Sequence, residues 1–382
     1  GIATPAEAAA FGAAGAFLIN LIYGRLTWQV LRESLSSTIM LTGMGLWILI
    51  AATIFLNIFN TMGSQDLLTQ LVLSMPGGTN GILIMMMAII VAGHETTSPA
   101  STNALKLLLS DRLVWERICK TPELIPNAIE ECLRLEGSVV AWRRRATRDT
   151  EIAGVAIPAE AKLLIVSASA NHDSRYFENG DFLDIYRDSA AEHLTFGYGS
   201  HQCMGKNFAR LEMRIFIEEL SRRLPHMRLS EDQQFTYLPN LAFRGPQQLL
   251  VEWDPALNPE RSDPALVDRR VSFPIGAPSS KEIARTVRVA DITEAADGIR
   301  ILRLEDPDGL ALPAWSPGAH VDLVAGEFSR KYSLCGNPSD PGYTIAVLRE
   351  DKGRGGSRFI HDRVTKGMTL RLRGPKNYFR LE

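Results

Sequence analysis

The chain opens with very little charge: between Gly1 and Gly93 the charged side chains are Glu7, Arg25, Arg32, Glu33 and Asp66. Such a stretch cannot present an ordinary solvated surface. Over all 382 residues, 41 basic side chains against 43 acidic ones leave no basic excess, which argues against nucleic acid as a partner. Cysteine is scarce as well. Cys119, Cys132, Cys203 and Cys335 stand far apart, so a disulfide framework, a C-x-x-C pair and the cysteine run of a plant-type iron–sulfur domain are all excluded. Three of them, Cys119, Cys132 and Cys335, read as reduced thiols of a cytoplasmic compartment. A secretory leader needs a basic start and a single apolar block, and that pattern is missing.

What fills the opening segment is apolar sequence. The run Thr38–Phe59 is free of charge and long enough to cross a hydrocarbon core of roughly 30 Å as a helix. Shorter runs flank it at Ala8–Tyr23 and Ile82–Ala92. The beginning, Gly1-Ile2-Ala3-Thr4-Pro5-Ala6-Glu7-Ala8-Ala9-Ala10, has a proline and an acid where a helix starts. With Arg25-Leu26-Thr27-Trp28, it resembles the large membrane subunit of TRAP dicarboxylate transporters over residues 1–90. In that family a T-P-x-E-A-A-A turn helps hold sodium and a carboxylate substrate. Transporter sites form between inverted repeats, and the partner repeat is absent here, so transport is not expected. Thr4, Pro5 and Glu7 are equally well read as a plain helix start.

A different chemistry gathers around Cys203. It lies in Phe196-Gly197-Tyr198-Gly199-Ser200-His201-Gln202-Cys203-Met204-Gly205, a glycine-punctuated loop ahead of a helical pattern. A helix N-terminus stabilises a thiolate. Every motif position resembles the haem-binding signature of cytochrome P-450, F-G-x-G-x-H-x-C-x-G. The resemblance makes Cys203 the iron ligand and the metal site, with Phe196 beside the sulfur, Gly199 and Gly205 giving the backbone close approach, and His201 facing a haem propionate. Thiolate-ligated haem favours O–O cleavage, which implies oxygen activation.

Upstream, Ala92-Gly93-His94-Glu95-Thr96-Thr97 resembles the family's distal-helix motif A-G-x-E-T-T. There Glu95 and Thr96 are implied as the catalytic pair handling water and protons, because dioxygen cleavage needs timed protons. His94 is expected to be structural or exposed. Glu131 and Arg134 share a helix face at i, i+3 and resemble the E-x-x-R of the helix beneath the haem. Arg187 suits the third place of that structural network. Among Arg143, Arg144 and Arg145, the alignment with R-x-A-T-x-D favours Arg144 as a propionate partner through its bidentate guanidinium. Thr150–Ile157 reads as a strand and turn. Beyond Cys203, Phe208, Leu211, Ile215 and Leu220 recur at helical spacing with charged residues between, as in an amphipathic helix, which would cover the proximal side. The P-450-like sequence spans residues 91–253 and corresponds to the family's C-terminal half. The half that forms the substrate lid does not precede it, so weak haem retention and little coupled hydroxylation are expected.

Residues 254–280 are rich in Pro, Asp, Arg and Ser without periodicity, as in an interdomain linker. The period then becomes two in Ile299–Leu304, Tyr343–Val347 and Leu370–Arg373, which predicts an antiparallel β-barrel over residues 281–382. Arg330, Tyr332 and Ser333 sit at a predicted strand end. Gly355, Gly356 and Ser357 precede a possible helix and form a natural phosphate nest. Together these resemble the FMN domain of phthalate-dioxygenase-type reductases, ending near Gly374-Pro375-Lys376-Asn377-Tyr378-Phe379.

The fold expected is therefore multidomain: N-terminal transmembrane α-helices, a mainly α haem half-domain and a C-terminal antiparallel β-barrel for flavin. The order resembles self-sufficient bacterial monooxygenases. It implies haem b and FMN as cofactors, with NAD(P)H and an iron–sulfur cluster in complete relatives. The implied partners are a small organic substrate, O2, an external electron donor and, through the N-terminal helices, a membrane. The place implied is the bacterial inner membrane with cytoplasmic haem and flavin domains, or the cytoplasm if the N-terminal fusion is not genuine. The alternatives are a TRAP-type permease fragment and an inactive chimeric gene product.

Overall fold

A computed structural model of the chain describes residues 5–25, 27–61, 78–237, 239–263, 265, 276–278 and 283–378. It divides into two compact units, Gly1–Ala88 and Ile89–Glu382. In the first unit, α1 (Pro5–Ile22) begins on the proline and ends where Gly24 turns with φ +63°. The second helix, α2 (Trp28–Thr61), contains the whole Thr38–Phe59 run. Ile39, Met40 and Trp47 on it are exposed. Thr4, in the transporter-like turn, lies outside the described residues, as do several side chains of Thr38–Phe59.

A third helix, α3 (Gly78–Ser110), carries the Glu95–Thr96 pair. Among the described residues one stretch, Asn80–Ser110, is long and apolar enough to cross a membrane, with a mean hydropathy of 1.4. Its last turns do something else: Ala104 and Leu108 are fully buried in a helical core. The next helices are α4 (Arg112–Lys120), capped by the Asp111 carboxylate on the Leu113 N–H at 2.9 Å, and α5 (Ile125–Glu136). Trp115, Ile118, Ile125 and Ile129 complete that core. Two small antiparallel pairs follow: β1 (Trp142–Arg145) with β4 (Lys162–Ile165), and the hairpin of β2 (Thr150–Ile152) with β3 (Val155–Ile157). Short α6 (Ser167–Asn171) leads into a meander that ends at the Cys203 loop, and α7 (Lys206–Arg223) packs back onto the core. The strands β5 (Arg228–Leu229) and β6 (Val251–Glu252) close this part.

Of the four apolar residues at helical spacing on α7, Leu220 packs against the core and the other three do not. Phe208 is 64% exposed, and Leu211 and Ile215 are exposed too. Burial falls instead on Met213 and Ile217 together with Arg210, Arg214 and Glu218. Arg210 lies inward because it has a buried anion to meet.

Past Leu257 and Arg261, each in a short helical turn, six antiparallel strands close a barrel. They are β7 (Arg285–Ala296), β8 (Ile299–Glu305), β9 (His320–Ala325), β10 (Phe328–Cys335), β11 (Tyr343–Leu348) and β12 (Thr369–Lys376), with α8 (Gly356–Arg363) between the last two. Around the barrel the order is β10, β11, β8, β7, β12, β9. Alternate residues Val321, Leu323 and Ala325 of β9 and Tyr343, Ile345 and Val347 of β11 fill the interior, as a period of two demands. Much of the segment expected as a linker lies outside the described residues.

Ion pairs join barrel and helical part within the second unit, and the Arg117–Asp306 pair is buried. Arg117 of α4 meets Asp306 at 2.7 Å and Asp308 at 3.1 Å, and its Nη1 donates to the Tyr186 hydroxyl at 2.8 Å. Lys376 meets Asp188 at 2.5 Å. Removing one partner of such a pair leaves the other charge stranded. Asp306→Ala should therefore lower unfolding stability by about 3 kcal/mol, read from the midpoint of chemical denaturation. A change within error would show the Arg117 pair to be dispensable.

Candidate functional site

The Cys203 loop is shaped by its glycines. Gly197 and Gly199 take φ +69° and +73°, a region that L side chains avoid. These turns let the Cys203 N–H donate to the Phe196 carbonyl at 2.8 Å and the Gln202 N–H donate to Gly199 at 3.0 Å. Cys203 then stands just ahead of Gly205, the residue preceding α7, where an added Cβ would lie 3.9 Å from its sulfur. Of the four cysteines in the chain, Cys203 is the exposed one. Burial pushes the Cys119 thiol up to about 12, and raises those of Cys132 and Cys335. Those three are held as neutral thiols at neutral pH, which leaves Cys203 as the accessible ligand. His201 is exposed beside it.

Beneath this loop lies a feature the motifs did not reveal. Glu130 is fully buried and accepts from Arg210 Nε and Nη2 at 2.7 Å each, with His193 Nε2 3.3 Å away. The Arg210 guanidinium in turn covers the Phe196 ring at 4.7 Å, and the His193 ring lies 5.5 Å from the same ring. Burial pushes the Glu130 carboxyl up, yet His193 and Arg210 together hold it below the usual carboxylate range. The visible signal was the doublet Glu130-Glu131, of which the E-x-x-R spacing accounts for one member.

The expected network is assembled. Glu131 accepts from Arg134 at 2.7 and 2.8 Å and from Arg187 Nε at 2.9 Å, with Glu131 and Arg134 fully buried. Arg134 also donates to the Asn171 and Gly180 carbonyls at 2.6 and 2.7 Å and stands over Phe177. Asn171 carries the connection onward, accepting from the Leu194 N–H at 2.7 Å and donating to the Thr195 hydroxyl at 3.0 Å. Thr195 itself donates to the Leu133 carbonyl at 2.6 Å and fits against Gly137, where an added Cβ would meet its methyl at 2.5 Å.

Other expected residues stand apart. On α3 the Thr96 hydroxyl donates to the Ala92 carbonyl at 2.7 Å, and Glu95 is solvated with His94 3.7 Å away. Arg143, Arg144 and Arg145 are all exposed on β1; Arg145 pairs with Glu160, while Arg144 donates to the Arg143 carbonyl.

In the barrel, Arg330 and Tyr332 lie opposite Leu323 and Val321 on the inward side of β10, and alternation puts Ser333 on the other side with Lys331. Arg330 packs on Gly356, where an added Cβ would come within 2.9 Å of its side chain, and Gly355 turns with φ +88° into α8. Ser357 accepts from the Glu350 N–H at 3.1 Å. Thus the arginine and the glycine nest are brought together, whereas Ser333 faces away from them.

Residues 64–242 match the family model of Cytochrome P450, and residues 1–100 match that of the Tripartite ATP-independent periplasmic transporter, DctM component. Cytochrome P450 105A3 of Streptomyces carbophilus is 41% identical over 167 residues, 43% of this chain and 40% of that protein. Among solved structures, full-length CYP116B46 from Tepidiphilus thermophilus aligns over 85% of this chain and 42% of that one, at 52% identity and a TM-score of 0.74. An intact type IV self-sufficient cytochrome P450 monooxygenase aligns over 80% and 40%, at 58% identity and a TM-score of 0.54. So large a share of 382 residues is not reached without part of the barrel. The chain spans about two fifths of the length of these relatives.

Two outcomes follow from the geometry. A thiol reagent at neutral pH should modify Cys203 well ahead of the other cysteines, and peptide mapping after brief labelling checks this; equal labelling of Cys119 would contradict the burial. Glu130→Gln should cost about 3 kcal/mol in unfolding stability at neutral pH, because Arg210 loses a buried anion. Since the folded carboxyl is held low, that difference is full above the ordinary carboxylate range and fades as pH falls through and below it. A denaturation series from neutral to acid pH reads it directly.

Proposed function

We propose that residues 91–253 are the haem-binding half of a cytochrome P-450 monooxygenase, residues 254–280 a linker and residues 281–382 an FMN-binding reductase barrel. In this reading the chain takes part in inserting one oxygen atom of O2 into a small organic substrate, with electrons passed through the flavin from an external donor. The observation that carries it is the exposed Cys203 in a glycine-turned loop at the start of α7, while the other cysteines are held back.

The residues present suit haem. Cys203 offers a sulfur donor, Gly197, Gly199 and Gly205 keep bulk away from the loop, and His201 is free at the surface to meet a propionate. Arg144, exposed and without an acidic partner among the described residues, suits the other propionate role. Bound haem would supply thiolate-ligated iron, which favours cleavage of the O–O bond. The chain's own share is positional. Glu131, Arg134 and Arg187 fix the meander, and Phe196 beneath Arg210 sets the height of the loop. Glu95 can exchange a proton with water at its carboxylate, and the Thr96 hydroxyl can rotate from the Ala92 carbonyl to pass one on.

FMN suits the barrel in a similar way. Its phosphate would meet Arg330 and the N–H groups at Gly355 and Gly356, with the Ser357 hydroxyl hydrogen free to donate, and the half-buried Tyr332 offers a ring beside it. NAD(P)H and an iron–sulfur centre would complete the route, as in the self-sufficient arrangement. A second reading, favoured by the DctM match, gives residues 1–90 a transporter descent and a place in the bacterial inner membrane, holding the haem and flavin parts on the cytoplasmic side. Without membrane insertion the chain would be cytoplasmic.

Titration with hemin followed by a reduced carbon monoxide difference spectrum should give a thiolate-type Soret band that Cys203→Ala lacks; the same band in both removes Cys203 as the ligand. FMN fluorescence quenching should weaken at least about tenfold in Arg330→Ala, the loss expected for a charge-assisted phosphate contact, and less in Ser357→Ala. Unchanged affinity in both variants would remove the phosphate assignment.

A further inference from the structure

We propose that Arg285, a residue of the barrel, is a positioning residue for the Cys203 loop, so that the cysteine site takes its final geometry only with the barrel docked. The proposal rests on the reading of Cys203 as the functional site. Arg285 opens β7 and is 1% exposed. Among the described residues its side-chain hydrogen bonds go to the Asp184 carboxylate, at 2.7 and 2.8 Å, and its guanidinium covers the Tyr186 ring at 4.9 Å. Its buried Nε has no hydrogen-bond partner among the described residues, which leaves Asp184 as the anchor for an enclosed charge.

From Asp184 a chain of hydrogen bonds, buried as far as Thr195, runs to the loop. The Asp184 N–H donates to Glu131 at 3.1 Å, and Glu131 holds Arg134. Arg134 grips the Asn171 carbonyl at 2.6 Å. The Asn171 side chain then fixes both Leu194 and Thr195, the residues directly before Phe196, whose carbonyl receives the Cys203 N–H. Asp184, Glu131, Arg134, Asn171 and Thr195 are buried, whereas Leu194 and Cys203 at the far end are exposed. If Arg285 leaves, Asp184 is a buried anion without a cation, and no solvent is at hand to take up the charge. The segment bearing Asp184 must then shift, and Glu131 moves with it. In a packed interior such shifts pass from one enclosed group to the next rather than dissipating locally. The electron-supplying module would thereby be coupled to the shape of the site it serves.

Amide hydrogen exchange of the full chain, with no cofactor added, tests this. Arg285→Met should speed exchange in peptides covering 171–187 and also 193–205 about tenfold, while Arg285→Lys restores most of the protection. Lys376→Gln cuts the Asp188 and Asp322 pairs at the same junction but touches no member of the chain, and should leave 193–205 at the wild-type rate. Faster exchange confined to 171–187 in Arg285→Met overturns the proposal, as does equal acceleration of 193–205 by Lys376→Gln. If Arg285→Met also exposes the barrel strands 299–305 and 343–348, Asp184→Asn takes its place: it keeps the N–H to Glu131 and removes the charge. Wild-type exchange at 193–205 in a folded Asp184→Asn overturns the proposal equally. Because no haem is needed, a failure here leaves the carbon monoxide result standing, and a missing Soret band leaves the coupling standing.

Discussion

Two adjacent carboxylates, Glu130 and Glu131, bear the organisation of the helical part. Adjacent residues on a helix point about 100° apart, so one acid can serve the loop side and the other the meander side. Glu130 takes Arg210 and His193, and through them the Phe196 ring; Glu131 takes Arg134, Arg187 and the Asp184 N–H. Both are fully buried. Enclosed ions are worth little as net stability, since desolvation offsets attraction. Their value lies in geometry, because each oxygen tolerates few directions of approach. A hydrophobic replacement could hold the same helices together without fixing where Cys203 points.

The junction with the barrel uses the same kind of interaction. Arg117 and Arg285 reach across it to Asp306 and Asp184, and Tyr186 stands between them, its hydroxyl on one guanidinium and its ring under the other. Burial and the arginines act in opposite directions on that hydroxyl, and burial prevails, so Tyr186 stays protonated. It can then donate as well as accept. Opening this junction would strand enclosed charges on both sides.

Legibility followed the kind of signal each element leaves. The barrel was readable because β11, residues 302–305 of β8 and residues 369–372 of β12 alternate, and alternation is what one buried side of a strand requires. The Cys203 loop was readable because positive φ demands glycine at Gly197 and Gly199. Glu131 and Arg134 could be paired from their spacing. Arg210, Arg214 and Glu218 were misplaced, since a hydropathy pattern assigns charge to solvent and they lie inward on α7. Partners distant in sequence, such as Arg285 with Asp184 or Arg210 with Glu130, leave no local trace at all. In the β10 cluster, composition grouped Arg330, Tyr332 and Ser333, whereas strand alternation separates the serine.

An asymmetry runs through the proposed haem site. The side bearing Cys203 is held by residues that all lie between Ile125 and Arg285, and every charged member of that support has a buried partner. The pair proposed to handle protons has none: Glu95 is solvated, Thr96 is bonded within its own helix, and Ile89, Ile90 and Val91 before them are exposed. Ligand placement needs rigidity, which this chain provides from its own residues. Timed proton delivery needs water to be admitted at one point and refused elsewhere, and that requires a surface laid over the apolar turns of α3. The two requirements are separable in physical terms, so a chain can hold its cysteine ready while its control of protons waits on that covering surface.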